Sequence, residues 1–227
     1  MSGLAERLEA LQTAVRAACQ RAGRPEDSVE LLAVSKLQPL DAMREAHAAG
    51  VRAFGENYAQ ELRDKSAALS DLPGIRWHAI GPLQTNKAKY VARTAHVFHA
   101  LDRADVAEEL SRRRTGTPLD VYLEVNVGGE STKGGVRPAE LTSLVERVRT
   151  LPGLRLVGLM AMPPLGPAAE DGRPYFKMLA ELARAQGLSG LSMGTTHDFG
   201  VAIEEGATVV RVGTALFGER PRGTTTP

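Results

Sequence analysis

The chain has 227 residues, 43% hydrophobic and only 4% aromatic, with 28 Lys plus Arg against 27 Asp plus Glu and a formal net charge of +1. That length suits one large α/β domain better than two small ones. The near-balance of charge gives no argument for nucleic acid or an anionic membrane as partner, so an anionic ligand has to be held by a local site.

With so few aromatics the core has to be built from Val, Leu, Ile, Ala and Met, which suits a barrel interior of branched aliphatics. The single cysteine, Cys19, excludes an internal disulfide and points to a reducing compartment. The opening MSGLAERLEAL is charged and amphipathic, unlike a secretory signal, and no apolar run is long enough to span a bilayer. A soluble, cytoplasmic protein is expected.

Leu4, Leu8, Leu11 and Val15 recur at helical spacing and predict an N-terminal helix lying on something larger. After it, strand-like runs alternate with helical stretches. Strand 29–35 (VELLAVS) precedes helix 40–49, strand 52–55 precedes helix 57–69, strand 76–80 precedes helix 84–92, and strand 96–100 precedes helix 103–114. Strand 120–127 then precedes helix 138–150, strand 155–161 precedes helix 172–186, strand 190–193 precedes helix 198–205, and strand 209–213 precedes a short turn near 214–218. Asp102 reads as a start signal, Pro138 as an early helical position, and Gly50 and Gly187 as stops. Eight βα units in a row without a linker predict a single closed (β/α)8 barrel, with an extra N-terminal helix, over residues 1–218. An open doubly wound sheet is the less simple count. Residues 219–227 read as a polar, frayed tail.

Working residues of such a barrel stand at the C-terminal ends of its strands. That rule selects Ser35-Lys36, Glu56-Asn57, His78 to Gly81, the 128–136 loop, Gly194 to Asp198 and Gly213-Thr214. Lys36 ends a buried-looking strand, where a partly desolvated amine can attack an aldehyde; a lysine that simply reaches water is the plain alternative. The loops after strands 7 and 8 combine glycines with the hydroxyls of Ser192, Thr196 and Thr214, a combination suited to phosphate, although ordinary turns and caps use the same residues. Arg211 alternates with Val210 and Val212 inside a strand. A guanidinium there needs a partner, either a structural carboxylate or the ring nitrogen of a bound cofactor. An aldehyde, a phosphate and a heteroaromatic nitrogen are three handles of one ligand, pyridoxal 5′-phosphate. An arginine at its ring nitrogen weakens the electron sink that many pyridoxal enzymes use.

The stretches LLAVSK around Lys36, FGENYAQE at 54–61, WHAIGPLQTNKAK at 77–89, LEVNVGGESTKGG at 123–135, LVGLMAM at 156–162, LSMG at 191–194 and VRVGTALFGER at 210–220 cover nearly the whole chain. Through them the chain resembles the pyridoxal phosphate homeostasis proteins (the YggS or PROSC family), whose fold is similar to the alanine racemase barrel. The resemblance implies a lysine-bound cofactor at Lys36, with Asn57 approaching it from the second strand. It also implies phosphate contacts at Ser192, Thr196, Gly213 and Thr214, and Arg211 at the pyridine nitrogen. The loop after LSMG departs from the family's usual Met-Ser-x-Asp, reading Thr195-Thr196-His197-Asp198, but Thr196 keeps a hydroxyl at the phosphate-facing position.

A cofactor carrier without turnover is therefore expected, a monomer handing pyridoxal phosphate to dependent apoenzymes. The competing readings are an amino-acid racemase and a Schiff-base aldolase. Racemisation needs a second base, and alanine racemases draw theirs from a further domain that is not evident here; Tyr58 is the tyrosine near enough to test. The H-x-x-H pair His96 and His99 would face opposite sides of a strand, which argues against a shared metal. Lys133 in the glycine-rich loop is a candidate gate residue able to intercept the cofactor.

Overall fold

Eight parallel strands pair in chain order and the last closes on the first: β1 (Glu30–Val34), β2 (Ala53–Glu56), β3 (Arg76–Ala79), β4 (Val97–Leu101), β5 (Leu119–Glu124), β6 (Leu154–Met160), β7 (Gly190–Thr195) and β8 (Val209–Val212). This computed structural model describes residues 3–130, 133–164 and 166–218; the expected tail 219–227 lies outside them. Between the strands run α2 (Leu40–Ala48), α3 (Ala59–Ala68), α4 (Ala88–Thr94), α5 (Ala104–Arg113), α6 (Leu141–Arg149), α7 (Arg173–Ala185) and α8 (Phe199–Glu204). α1 (Leu4–Arg21) precedes the barrel and α9 (Thr214–Phe217) follows β8.

The predicted (β/α)8 barrel is the architecture found. α1 buries Leu4, Leu8, Leu11 and Val15 and lies across α8 and α9. Arg7 Nε donates to the Leu216 carbonyl at 2.7 Å, and Arg24 Nη1 donates to the carbonyls of Ile203 and Ala207 at 2.9 and 2.8 Å. These bonds satisfy carbonyls of α8, α9 and the loop after α8, and tie the first helix and the turn that follows it to the elements beside the last βα loops.

Three boundaries differ from the sequence reading for identifiable reasons. β5 stops at Glu124, because Asn126 and Val136 pair with each other's loop: Asn126 N–H donates to the Val136 carbonyl at 3.0 Å and its side-chain amide to Glu130 O at 2.8 Å. β7 runs on to Thr195 through Gly194 at φ 90°, with a register shift against β8 between Ser192 and Thr195. A Cβ at Gly194 would stand 2.6 Å from the Ala202 side chain, so glycine lets this bulge sit tight on α8. Asp102 does not cap α5: Arg103 holds the cap position, and Asp102 pairs with the Arg103 guanidinium at 3.2 Å.

The barrel interior is more polar than a low-aromatic composition suggested. Much of the apolar bulk, including Phe54, Phe98 and Trp77, faces the helices. The interior instead holds His78 and His99, each about 1% exposed or less, with Tyr122 stacked on His99 at 4.7 Å and an interplanar angle of 10°. Gly158 and Gly190 make room at the same level: a Cβ on Gly158 would fall 2.1 Å from Gly190 O, and one on Gly190 would fall 2.9 Å from the Tyr122 ring.

Candidate functional site

A cavity of about 830 Å³ opens at the C-terminal ends of the strands. Lys36, Asn57, Thr196, Arg211, Gly213 and Thr214 all line it, so six of the seven residues singled out from the sequence converge on one space. Lys36 arrives there by strand alternation. Glu30, Leu32, Val34 and Lys36 occupy successive same-face positions of β1 and its extension, and both Val34 and Lys36 reach the cavity. Asn57 is pressed into place by the third loop, because a Cβ on Gly81 would lie 2.4 Å from Asn57 O.

Ser192 is the seventh residue, and it is not among those lining the cavity. It is fully buried inside β7. Its hydroxyl accepts from Arg211 Nη1 at 2.7 Å and lies 2.8 Å from His99 Nδ1, whose Nε2 is 2.9 Å from His78 Nδ1. Burial pushes the His78 pKa down to about 3 and that of His99 well below its usual range, so both imidazoles are neutral. The charged Arg211 can only donate to Ser192; the Ser192 hydroxyl keeps one proton, and with that proton on His99 Nδ1, His99 Nε2–H donates to His78 Nδ1. The structure thus places the Ser192 hydroxyl, expected at the phosphate, in contact with Arg211 and His99.

Arg211 is 5% exposed, and among the described residues no carboxylate lies within ion-pair distance of it. Nη1 donates to the Ser192 carbonyl and hydroxyl at 2.9 and 2.7 Å. Nη2 donates to Ala161 O and to Met162 Sδ, both at 2.9 Å. A guanidinium carries five N–H donors, so among the described residues these four bonds leave Nε–H over in a side chain that borders the cavity. Burial pulls the Arg211 pKa down to about 10, opposed by the charges of Glu124 and Asp198, so the group stays protonated at neutral pH.

The β7–α8 loop is organised by Asp198, whose Oδ1 accepts from the Thr195 N–H at 2.7 Å and the Thr195 hydroxyl at 3.1 Å. The Thr195 hydroxyl is thereby engaged, while Thr196 and His197 stay exposed at the cavity rim. Across the mouth, a Cβ on Gly213 would meet Val34 only at ordinary contact, 3.6 Å, so neighbour packing alone does not demand glycine there.

Sequence reasoning missed Glu124. It lines the cavity, and burial, with Asp102 adding to it, raises its pKa to about 7. Asp120, Tyr122 and Glu124 alternate along β5, and that pattern was the available signal; placing the strand's end at 127 moved attention to the loop instead. Lys133 pairs with Glu130 at 2.6 Å and is not among the cavity-lining residues. His96 Nδ1 accepts from the Trp77 N–H at 3.0 Å, well apart in role from the interior His99. Among the described residues no group of three or more His, Cys, Asp or Glu could hold a metal ion. The cavity brings together an amine, a buried guanidinium with one donor to spare and two rim hydroxyls, a set suited to a ring-bearing anion with an electrophilic carbon.

The family described as "Alanine racemase, N-terminal domain" matches residues 7–221. A relative from Pseudomonas aeruginosa named pyridoxal phosphate homeostasis protein is 49% identical, covering 98% of each chain. One of the same name from Aquifex aeolicus is 47% identical, covering 95% of this chain and 97% of the relative. Among solved structures, PipY of Synechococcus elongatus PCC7942 with PLP bound superposes with a TM-score of 0.83 at 37% identity, covering 95% of this chain and all of that one. The chain belongs to the pyridoxal phosphate homeostasis protein family, within the wider alanine racemase N-terminal domain family.

Proposed function

We propose that this protein holds pyridoxal 5′-phosphate as a Schiff base on Lys36 and serves as a carrier in the cofactor's homeostasis, without turnover of its own. The observation that carries the reading is the spare Nε–H of Arg211, a buried cation bordering the same cavity as Lys36. A donor of that kind, left over after four bonds, fits an unprotonated ring nitrogen. The names of the relatives and the PLP-bound PipY structure support the choice of ligand. When bound, the cofactor supplies an aldehyde that condenses reversibly with an amine and releases water.

The chain's own residues divide the remaining work. Thr196, Gly213 and Thr214 take the phosphate at the rim, and Asn57 flanks the ring from the second loop. Ser192 acts at one remove, by holding Arg211. Because Arg211 stays protonated, it disfavours a proton on the ring nitrogen and so weakens the electron sink that many pyridoxal enzymes use. The choice of a carrier over a racemase rests on the second base that racemisation needs. Tyr58, the tyrosine to test as a second base, lines a separate groove with Leu37, Glu61 and Lys65 and is 45% exposed.

The carrier acts through residues 1–218 as one barrel domain, as a cytoplasmic monomer, with pyridoxal-dependent apoenzymes as recipients. Near-neutral charge and a buried lone Cys19 support the compartment, and among the described residues no helix is long and apolar enough to cross a membrane. A transfer assay tests the reading. Protein loaded with pyridoxal phosphate is mixed with a pyridoxal-dependent apoenzyme, and activity should return while alanine enantiomers incubated with the loaded protein stay unconverted. Inversion of alanine at enzymatic rates, or no loading at all, would overturn it.

A further inference from the structure

Lys36 sits in a turn whose next residue, Leu37, has φ 61°, the left-handed region that residues other than glycine seldom adopt. Both peptide groups flanking Lys36 are held from outside the barrel. On one side Lys65 Nζ of α3 donates to the Ser35 carbonyl at 2.6 Å. On the other, the Leu37 N–H donates to Glu61 Oε1, also of α3, at 2.7 Å. Lys65 joins the two grips, pairing with Glu61 at 2.7 Å and with Glu56 of β2 at 3.0 Å, while the Ser35 hydroxyl donates to Glu56 Oε1 at 2.6 Å. Glu56 and Lys65 are 1% and 8% exposed, between the barrel wall and α3. None of Glu56, Glu61 and Lys65 is among the cavity-lining residues, so the cluster reaches the cavity through the backbone of residues 35 to 37.

Stability alone does not explain such a cluster. Buried ion pairs rarely outdo well-packed apolar residues, and here Glu56 Oε2 and Glu61 Oε2 are both buried without a hydrogen-bond partner among the described residues. The arrangement keeps strain at Leu37 and unsatisfied oxygens at two carboxylates, and what it secures in return is the conformation on either side of Lys36. We propose that Glu61 and Lys65 are positioning residues for Lys36: they fix the Ser35 carbonyl and the Leu37 N–H and thereby set the line along which the Lys36 amine enters the cavity. The inference rests on the reading of Lys36 as the cofactor-bearing lysine.

The test compares wild type, Glu61→Ala, Leu37→Gly and the double variant. It reads amide hydrogen exchange of the peptide containing Leu37 in ligand-free protein, thermal stability, and pyridoxal phosphate affinity from absorbance titration. Glu61→Ala should speed exchange at Leu37 and weaken affinity about tenfold, the scale of one charge-assisted hydrogen bond. Glycine adopts a positive φ unaided, so the double variant should recover most of the affinity while its amide still exchanges fast. Leu37→Gly alone should bind like wild type. Wild-type affinity in Glu61→Ala, or a double variant no better than Glu61→Ala, would overturn the inference, since a merely stabilising role gives no reason for glycine to restore binding. Wild-type protein that takes up no pyridoxal phosphate would sink the carrier reading instead, and unchanged exchange at Leu37 in Glu61→Ala would separately sink the grip.

Discussion

Ser192→Ala separates two accounts of one hydroxyl. The Ser192 Oγ accepts from Arg211 Nη1 at 2.7 Å and bonds His99 Nδ1 at 2.8 Å, among three residues that are 0%, 5% and 0% exposed. Removing it strands one guanidinium N–H and one imidazole nitrogen away from water. Each such group costs about 1–3 kcal/mol, so the ligand-free protein should lose about 2–6 kcal/mol. For a chain of this size each kcal/mol moves Tm by about 2–4 °C, which puts the expected drop at about 4–24 °C. Arg211 keeps its bonds to the carbonyls of Ser192 and Ala161, so cofactor affinity should fall less than stability does. A hydroxyl that touched phosphate would give the opposite pattern: unchanged stability of the ligand-free protein and a clear loss of affinity. Calorimetry on cofactor-stripped protein decides, and a Tm within about 1 °C of wild type would refute the buried chain from Arg211 to the histidines.

Glu124 should make stability depend on pH in a specific window. Its folded pKa is raised to about 7, against an ordinary value of 4.5, so between those values the folded state holds a proton that the unfolded state has released. The stability it contributes is therefore fully present below pH 4.5 and is lost as pH rises towards 7, by about 3 kcal/mol in all. Urea titrations of wild type and Glu124→Gln across that range should diverge, with the variant less sensitive to pH; parallel curves would show the carboxyl to be ordinary. Gly81→Ala drives a Cβ to 2.4 Å from the Asn57 carbonyl. It should destabilise the protein by about 1–3 kcal/mol and weaken pyridoxal phosphate binding, measured by thermal melts and absorbance titration. Unchanged binding would remove Asn57 from the site.

The barrel was legible because its signal is repetitive: each strand-like run precedes a helical one, and the ends found differ from those expected by only a few residues. The convergence of Lys36, Asn57, Thr196, Arg211, Gly213 and Thr214 follows from the rule that parallel strands deliver their C-terminal ends to one face. Arg211 stood out as a charge inside an alternating apolar strand. Less visible were contacts made across the barrel. Nothing local to Ser192 says that its partner is Arg211 rather than a ligand, because residues 19 apart in sequence meet only when β7 and β8 pair with a shifted register. Glu124 was hidden by a strand end misplaced by three residues, where the turn at Asn126 depends on a bridge to Val136 that composition does not encode. The Glu56–Lys65–Glu61 cluster could be anticipated only in part: the i, i+4 spacing of Glu61 and Lys65 predicts their pairing, but the burial that gives it meaning comes from docking α3 on the barrel.

The measurement that bears most directly on the account is borohydride reduction of wild-type protein loaded with pyridoxal phosphate, followed by peptide mapping. The pyridoxyl group should be found on Lys36, and the yellow colour should be lost in Lys36→Ala. A label carried mainly by another lysine of the wild-type protein, Lys133 for instance, would contradict the assignment on which the proposed carrier role depends.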